Sequence, residues 1–255
     1  MRTTLPVVTL DGPAGVGKTE VAKVMAAALD RELVRLQCYE GLDESKALYE
    51  WNYQKQLLSI QVNMNAQDRE ALTRSLFSDE YLLERPLLKS IRSEKPVVLL
   101  IDEIDKADLE FPNDLLWELD RMEFHIPETK QTVTARHRPV VIITSNAEKE
   151  LPDAFLRRCV FHYIEFPDRE LMAQIVRVHY PDLDQRLLDQ VLEAFYKIRQ
   201  LPQIKKKPST SEIIDWIRAL QHGGVDPKRV VKEVPYLGVL LKKNEDMDAL
   251  RRAWR

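Results

Sequence analysis

The sequence predicts a three-layer α/β fold built on a parallel five-stranded sheet, followed by a small all-helical domain. Three observations predict it. Five strand-like runs, Val7–Leu10, Leu33–Leu36, Val97–Ile101, Val140–Thr144 and Phe161–Phe166, are mostly continuous in apolar character rather than alternating, as strands covered on both faces are. Helical patterns separate them, the alternation that gives a parallel sheet with helices on both sides. Beyond about residue 168 the strand signals stop and helical periodicity takes over.

The first run leads into Gly12-Pro13-Ala14-Gly15-Val16-Gly17-Lys18-Thr19, which fits G-x-x-x-x-G-K-[ST]. A helical pattern at 19–30, rich in helix formers, follows. Strand, glycine loop and helix together make a phosphate cradle, because glycines let backbone N–H groups turn inward and the helix N-terminus adds partial positive charge. The residues Gly12, Pro13, Ala14, Gly15, Val16, Gly17, Lys18 and Thr19 are therefore expected to hold a nucleotide. Lys18 would reach its outer phosphates and the Thr19 hydroxyl would ligate Mg²⁺.

After the second strand, helices are expected at 44–60, 68–77 and 80–92. The first contains the aromatic segment Tyr49-Glu50-Trp51-Asn52-Tyr53, which suits either a buried helix face or an exposed grip on a protein segment. The third run, Val97–Ile101, ends in Asp102-Glu103. Beside a phosphate loop, Asp102 can complete the Mg²⁺ shell and Glu103 can polarise a water. Asp105 is a second acidic group there, or a cap or surface residue. A helix at 111–121 precedes a hairpin at Glu123–Arg138, in which Phe124, Ile126 and Val133 alternate with polar residues and across which His125 and His137 could pair. The fourth run ends in Thr144-Ser145-Asn146, where the Asn146 amide can fix a water between Glu103 and a phosphate. A short helix at 151–157 ends in Arg157-Arg158-Cys159, from which a guanidinium can reach a phosphate bound by a neighbouring subunit.

The helical module is expected at 169–179, 184–200, 209–222 and 227–243, punctuated by Pro181, Pro202, Pro208 and Pro227, with Ser209 or Ser211 as an N-cap. This places a nucleotide-binding core at 1–167 and a helical domain at 168–255. Lys205-Lys206-Lys207 reads as a solvated loop.

Composition narrows the class. Of 255 residues, 44% are hydrophobic and 31% charged, an ordinary globular balance. No apolar stretch is long enough for a membrane span, and the short first run does not have a signal-peptide layout. Cys38 and Cys159 stand far apart, which fits reduced thiols and a cytoplasmic setting. The net charge of −3 is unevenly shared, with an acidic excess in the core and a basic one in the helical module. That pattern argues against nucleic acid as a partner and allows an acidic face to meet a basic one between copies.

The order of phosphate loop, Asp-Glu strand, Asn-tipped strand, arginine and helical module resembles an AAA+ ATPase, a P-loop NTPase core with a helical lid. The details resemble the MoxR branch, and within it the CoxD-type ATPases that accompany maturation of molybdenum-containing carbon monoxide dehydrogenase. The closer match is carried by Leu36–Asp43, Ala47–Tyr53, Pro86–Arg92, Asp102–Asp108, Thr144–Asn146 and Pro208–Glu212. The resemblance implies ATP binding at Gly12–Thr19, Mg²⁺ on Thr19 and Asp102, water activation by Glu103, and Asn146 as a first sensor. It implies Arg158 as a trans-acting finger, with Arg157 as the fallback. It further implies a ring, commonly a hexamer, that remodels a protein client, with a von Willebrand A-domain adaptor and a metalloenzyme as client. The alternative class is a nucleic-acid-handling ATPase of clamp-loader or helicase type, which the Arg158-Cys159 ending also suits.

Overall fold

The computed structural model describes residues 7–62 and 75–254. The chain forms two compact units: one is the sequence through Gly12 together with Gly17–Ile164, the other Pro13–Val16 together with Glu165–Arg255.

In chain order the first unit runs β1 (Val7–Asp11), α1 (Lys18–Ala28), β2 (Glu32–Gln37), α2 (Glu44–Leu48), β3 (Tyr49–Trp51), α3 (Tyr53–Val62), β4 (Leu82–Glu84), α4 (Pro86–Arg92) and β5 (Val97–Asp102). A 3₁₀ turn at Ile104–Lys106 follows, then α5 (Phe111–Asp114), α6 (Leu116–Arg121), β6 (Glu123–Ile126), β7 (Gln131–Thr134), β8 (Val140–Ser145), α7 (Asp153–Leu156) and β9 (Cys159–Tyr163). Five strands form one parallel sheet in the order β2-β5-β8-β1-β9. The interior strand β5, flanked by β2 and β8, is buried at every position, which is why Val97–Ile101 carries no polar alternation. Val98 and Leu100 pack on one face with Leu10, Ile142, Ala22 and Ala26. Val97, Leu99 and Ile101 pack on the other with Val34, Leu36, Leu87, Ile91 and Ile143. Alanines on the α1 face let that helix lie close to the sheet, and the layered α/β architecture is the one the sequence predicts.

Several elements differ from the sequence expectation. The pattern at 44–60 is broken, because Tyr49–Trp51 is a strand paired antiparallel with Leu82–Glu84. Alternation puts Tyr49 and Trp51 on one face, their rings 6.0 Å apart and edge to face. Tyr49 also packs on Phe124 and Trp51 on Phe77, while Tyr53 is exposed. The helix expected at 80–92 begins only at Pro86, since proline suits the first helical position and holds Arg85 extended. Of the helix expected at 68–77, residues 68–74 lie outside the described residues. The last strand starts at Cys159 rather than Phe161, because Cys159 pairs with Val7 at the start of the ladder to β1. The hairpin forms as expected, with Phe124 opposite Val133, but His125 faces Thr132 and not His137. The His125 Nδ1 lies 3.2 Å from the Thr132 hydroxyl.

The second unit has its own core, in which Trp216, Phe195, Met172, Val191 and Val230 are buried. Its helices are α8 (Arg169–His179), α9 (Gln185–Gln200), α10 (Thr210–His222), α11 (Pro227–Glu233), α12 (Leu237–Leu240) and α13 (Asn244–Ala253). Their starts are set locally: Asp168 accepts from the Leu171 N–H, Asp184 from Leu187 and Asp226 from Lys228, and Ser209 with Glu212 forms a capping box. The single helix expected at 227–243 is divided. Pro235 cannot continue it, Val234 and Tyr236 take left-handed backbone, and the Trp216 indole donates to the freed Pro235 carbonyl at 2.6 Å.

Candidate active site

Parallel strands end together, so their tips bring distant residues side by side. The register sets Gln37 beside Asp102, and Asp11 beside Ser145, at the carboxyl edge of the sheet. Between the end of β1 and the start of α1 runs the glycine loop. Gly12 has φ of 146°, Gly15 77° and Gly17 95°, all left-handed values that cost other residues strain. At Gly12 the space is closed as well: a Cβ would sit 2.3 Å from the Ile164 carbonyl oxygen. Gly12→Ala is expected to destabilise the protein by about 1–3 kcal/mol, which thermal unfolding would register as a lower Tm.

Gly17 caps α1 without a side chain, leaving the N-terminus of this 11-residue helix open to an anion. Lys18, almost fully buried, donates from Nζ to the Gly12 carbonyl at 2.5 Å. Burial pushes its ammonium below the ordinary lysine range, against the opposing pull of Asp11, Asp105, Glu103 and Asp102. Thr19 donates from Oγ1 to the Asp102 carboxylate at 3.0 Å. Burial, reinforced by Asp102, Asp105 and Glu103, pushes the Cys38 thiol up to about 12.

Asp102 closes β5 and is 1% exposed. Its Oδ1 also accepts from the Thr144 hydroxyl at 2.6 Å, and its Oδ2 from Arg35 Nε at 3.0 Å and Nη2 at 2.5 Å. The next residue, Glu103, sits in left-handed backbone at φ 57°, ψ 52°. Its N–H donates to the same Thr144 oxygen at 2.8 Å, so one buried hydroxyl fixes both acidic residues. The Glu103 carboxylate accepts from Asn146 Nδ2 at 3.3 Å, Gln37 Nε2 at 2.9 Å and Lys106 Nζ at 2.8 Å. Asp105 is neither exposed nor part of this carboxylate pair. It is 2% exposed, and its Oδ2 accepts the backbone N–H of Asn146 at 3.1 Å and of Glu148 at 3.0 Å, clasping the Asn146 loop.

The structure thus brings Lys18, Thr19, Asp102, Glu103 and Asn146 together at one sheet edge. It does not bring Arg158 to them within the chain: Arg158 is exposed, donates to Asp120 at 2.9 Å and to the Ala154 carbonyl at 2.8 Å. Arg157 is exposed beside it. The sequence reading missed Arg35, Gln37 and Thr144. A signal existed for the first two, since they are the polar positions of a strand whose Val34 and Leu36 are buried.

The donor set suits a nucleotide and its magnesium. Thr19 and Asp102 offer hard oxygen ligands in contact, as Mg²⁺ prefers. A buried ammonium beside an open helix N-terminus favours a polyanion. The buried cation and the clustered carboxylates each gain when such an ion pair enters.

Residues 7–159 match the AAA domain (dynein-related subfamily). The gas vesicle ATPase GvpN of Haloferax mediterranei is 26% identical over 203 residues, which cover 76% of this chain and 56% of that protein. The chain therefore spans little more than half the length of this relative. The uncharacterized protein SH1500 of Staphylococcus haemolyticus is 23% identical over 219 residues, 84% of this chain and 74% of that one. Among solved structures, the FIGL-1 AAA domain in complex with ADP is 18% identical with a TM-score of 0.46, covering 100% of this chain and 73% of that one. No described helix is long and apolar enough to cross a membrane.

Proposed function

This chain belongs to the AAA domain family, in its dynein-related subfamily, and we propose that it is an ATP hydrolase that spends ATP on remodelling or maturing a partner protein. The observation that carries this reading is the meeting of Lys18, Thr19, Asp102, Glu103 and Asn146 at the carboxyl edge of one sheet. In it, residues 1–167 are the nucleotide-binding core and 168–255 the lid.

The loop Gly12–Thr19 holds the phosphates, with Lys18 Nζ as the charged donor. Thr19 and Asp102 hold Mg²⁺, which when bound withdraws charge from the phosphate oxygens. Glu103 takes the proton of the attacking water on a carboxylate oxygen, and Asn146 Nδ2 orients that water. Asn146 already donates to Glu103, so base and orienting amide are held as one unit. Their proper spacing depends on Thr144 beneath and on Asp105 behind the Asn146 loop.

Arg158 is the finger supplied to the next copy, with Arg157 as the fallback. Its exposed position beyond reach of its own chain's site supports that assignment. A finger in trans requires assembly, so turnover per protomer is expected to rise through a threshold as protein concentration increases. Arg158→Ala should flatten that rise without abolishing ATP binding. Turnover that scales linearly with protomer number at all concentrations would refute a trans finger.

On the same resemblance the chain works as a MoxR-type ring, commonly a hexamer, in the cytoplasm. A von Willebrand A-domain adaptor and a metalloenzyme client of the CoxD kind complete the proposal. The GvpN likeness supports the ATPase assignment and leaves a different client as an outcome of a pull-down with candidate partners. ATPase stimulation by DNA, with the salt dependence of phosphate contacts, would favour the clamp-loader class instead.

A further inference from the structure

The Asp102 carboxylate has its acceptor positions filled by the protein itself. Oδ1 takes the Thr144 hydroxyl at 2.6 Å and the Thr19 hydroxyl at 3.0 Å, and Oδ2 takes Arg35 Nε at 3.0 Å and Nη2 at 2.5 Å. A carboxylate this deeply buried needs a compensating cation, and Arg35 provides it. The two partners differ in how firmly they are held. Asp102 is fixed from β5 and from Thr144, whereas the Arg35 side chain is half exposed on β2, an edge strand of the sheet. Nη2 also donates to the Gln37 side-chain oxygen at 2.5 Å, an anchor on its own strand that does not involve Asp102.

A divalent cation held by Thr19 and Asp102 would bring a second positive charge to the carboxylate that Arg35 now neutralises. Two cations on one carboxylate repel, and the more exposed and flexible one gives way. We infer that Arg35 is a positioning residue that stands in for the divalent cation on Asp102, and that it sets how much Mg²⁺ the site requires. The inference rests on the nucleotide-site reading above. It predicts a trade: Arg35 stabilises the protein before metal and nucleotide arrive, and raises the Mg²⁺ concentration needed afterwards.

The test uses Arg35→Met, which keeps an apolar stem and removes the charge, and Arg35→Lys, which keeps charge but not the two-pronged contact. Binding of a fluorescent ADP analogue is followed against free Mg²⁺, and Tm is measured with EDTA and with saturating Mg²⁺ and ADP. Wild type should bind in a Mg²⁺-dependent manner. In Arg35→Met the half-saturating Mg²⁺ should fall by about threefold or more. Its Tm should drop in EDTA and return close to wild type with Mg²⁺ and ADP. Arg35→Lys should shift the same way by less, and decides the matter if the Met variant does not fold. An unchanged or raised Mg²⁺ requirement overturns the inference, as does an equal loss of Tm in both conditions, which would mark Arg35 as merely structural. Absence of ADP binding in wild type would sink the nucleotide-site reading and this inference together. Binding in wild type with no Mg²⁺ shift in the variants sinks this inference alone.

Discussion

Replacing Glu103 with glutamine is expected to lower ATP turnover by about 10²–10⁴-fold, the usual worth of a general base, while ATP binding stays near wild type. The reason is geometric. Glu103 pays for a left-handed backbone, and Thr144 holds its N–H at 2.8 Å so that the carboxylate stands clear of the strand. Glutamine keeps that shape and can still accept from Asn146, but its amide cannot take a proton from water. The ion pair with Lys106 would be lost, yet with about a third of the Glu103 side chain exposed that loss matters little to stability. Steady-state turnover with a parallel binding titration checks this. An undiminished rate would show that Glu103 is not the base and would favour a slow nucleotide-gated scaffold.

Lys18→Ala is expected to weaken ATP binding by about tenfold or more, through loss of a charged donor to the phosphates. The nucleotide-free protein should respond differently. Burial lowers the Lys18 pKa, so at neutral pH its charged form costs folding free energy, and that cost is relieved only as pH rises. Removing the ammonium removes that cost, which offsets the loss of its hydrogen bond to the Gly12 carbonyl. The Tm without nucleotide should therefore move little, while the rise in Tm on adding Mg²⁺ and ATP should disappear. A large drop in the nucleotide-free Tm would mean that Lys18 serves the fold rather than the ligand.

Much of this site is legible before any coordinates because its parts are local. The glycine loop is contiguous, and a covered parallel strand shows itself as an unbroken apolar run with a polar tip, as at Asp102 and Asn146. What escapes is set by neighbours in space. Arg35 reaches Asp102 because β2 lies beside β5, an adjacency that chain order does not announce. Thr144 looks like the end of an apolar run, yet its hydroxyl ties Asp102 and Glu103 together. Asp105 is called to the surface by its charge and to the interior by two loop N–H groups that need an acceptor. The strands Tyr49–Trp51 and Leu82–Glu84 are too short to display a period of two, and only their pairing makes them strands. In the second unit helix starts are readable from Ser and Pro, whereas the break at Val234–Tyr236 depends on how Pro235 is accommodated by Trp216.

In the proposed reading, the Lys18 loop and the Asp102-Glu103 strand tip form one site for ATP and Mg²⁺. Calorimetric titration of ATP into the wild-type protein, with Mg²⁺ and then with EDTA, tests it most directly. Saturable binding at one ATP per protomer, weakened markedly when Mg²⁺ is removed, is expected. Heat that never saturates, or binding indifferent to Mg²⁺, would contradict it.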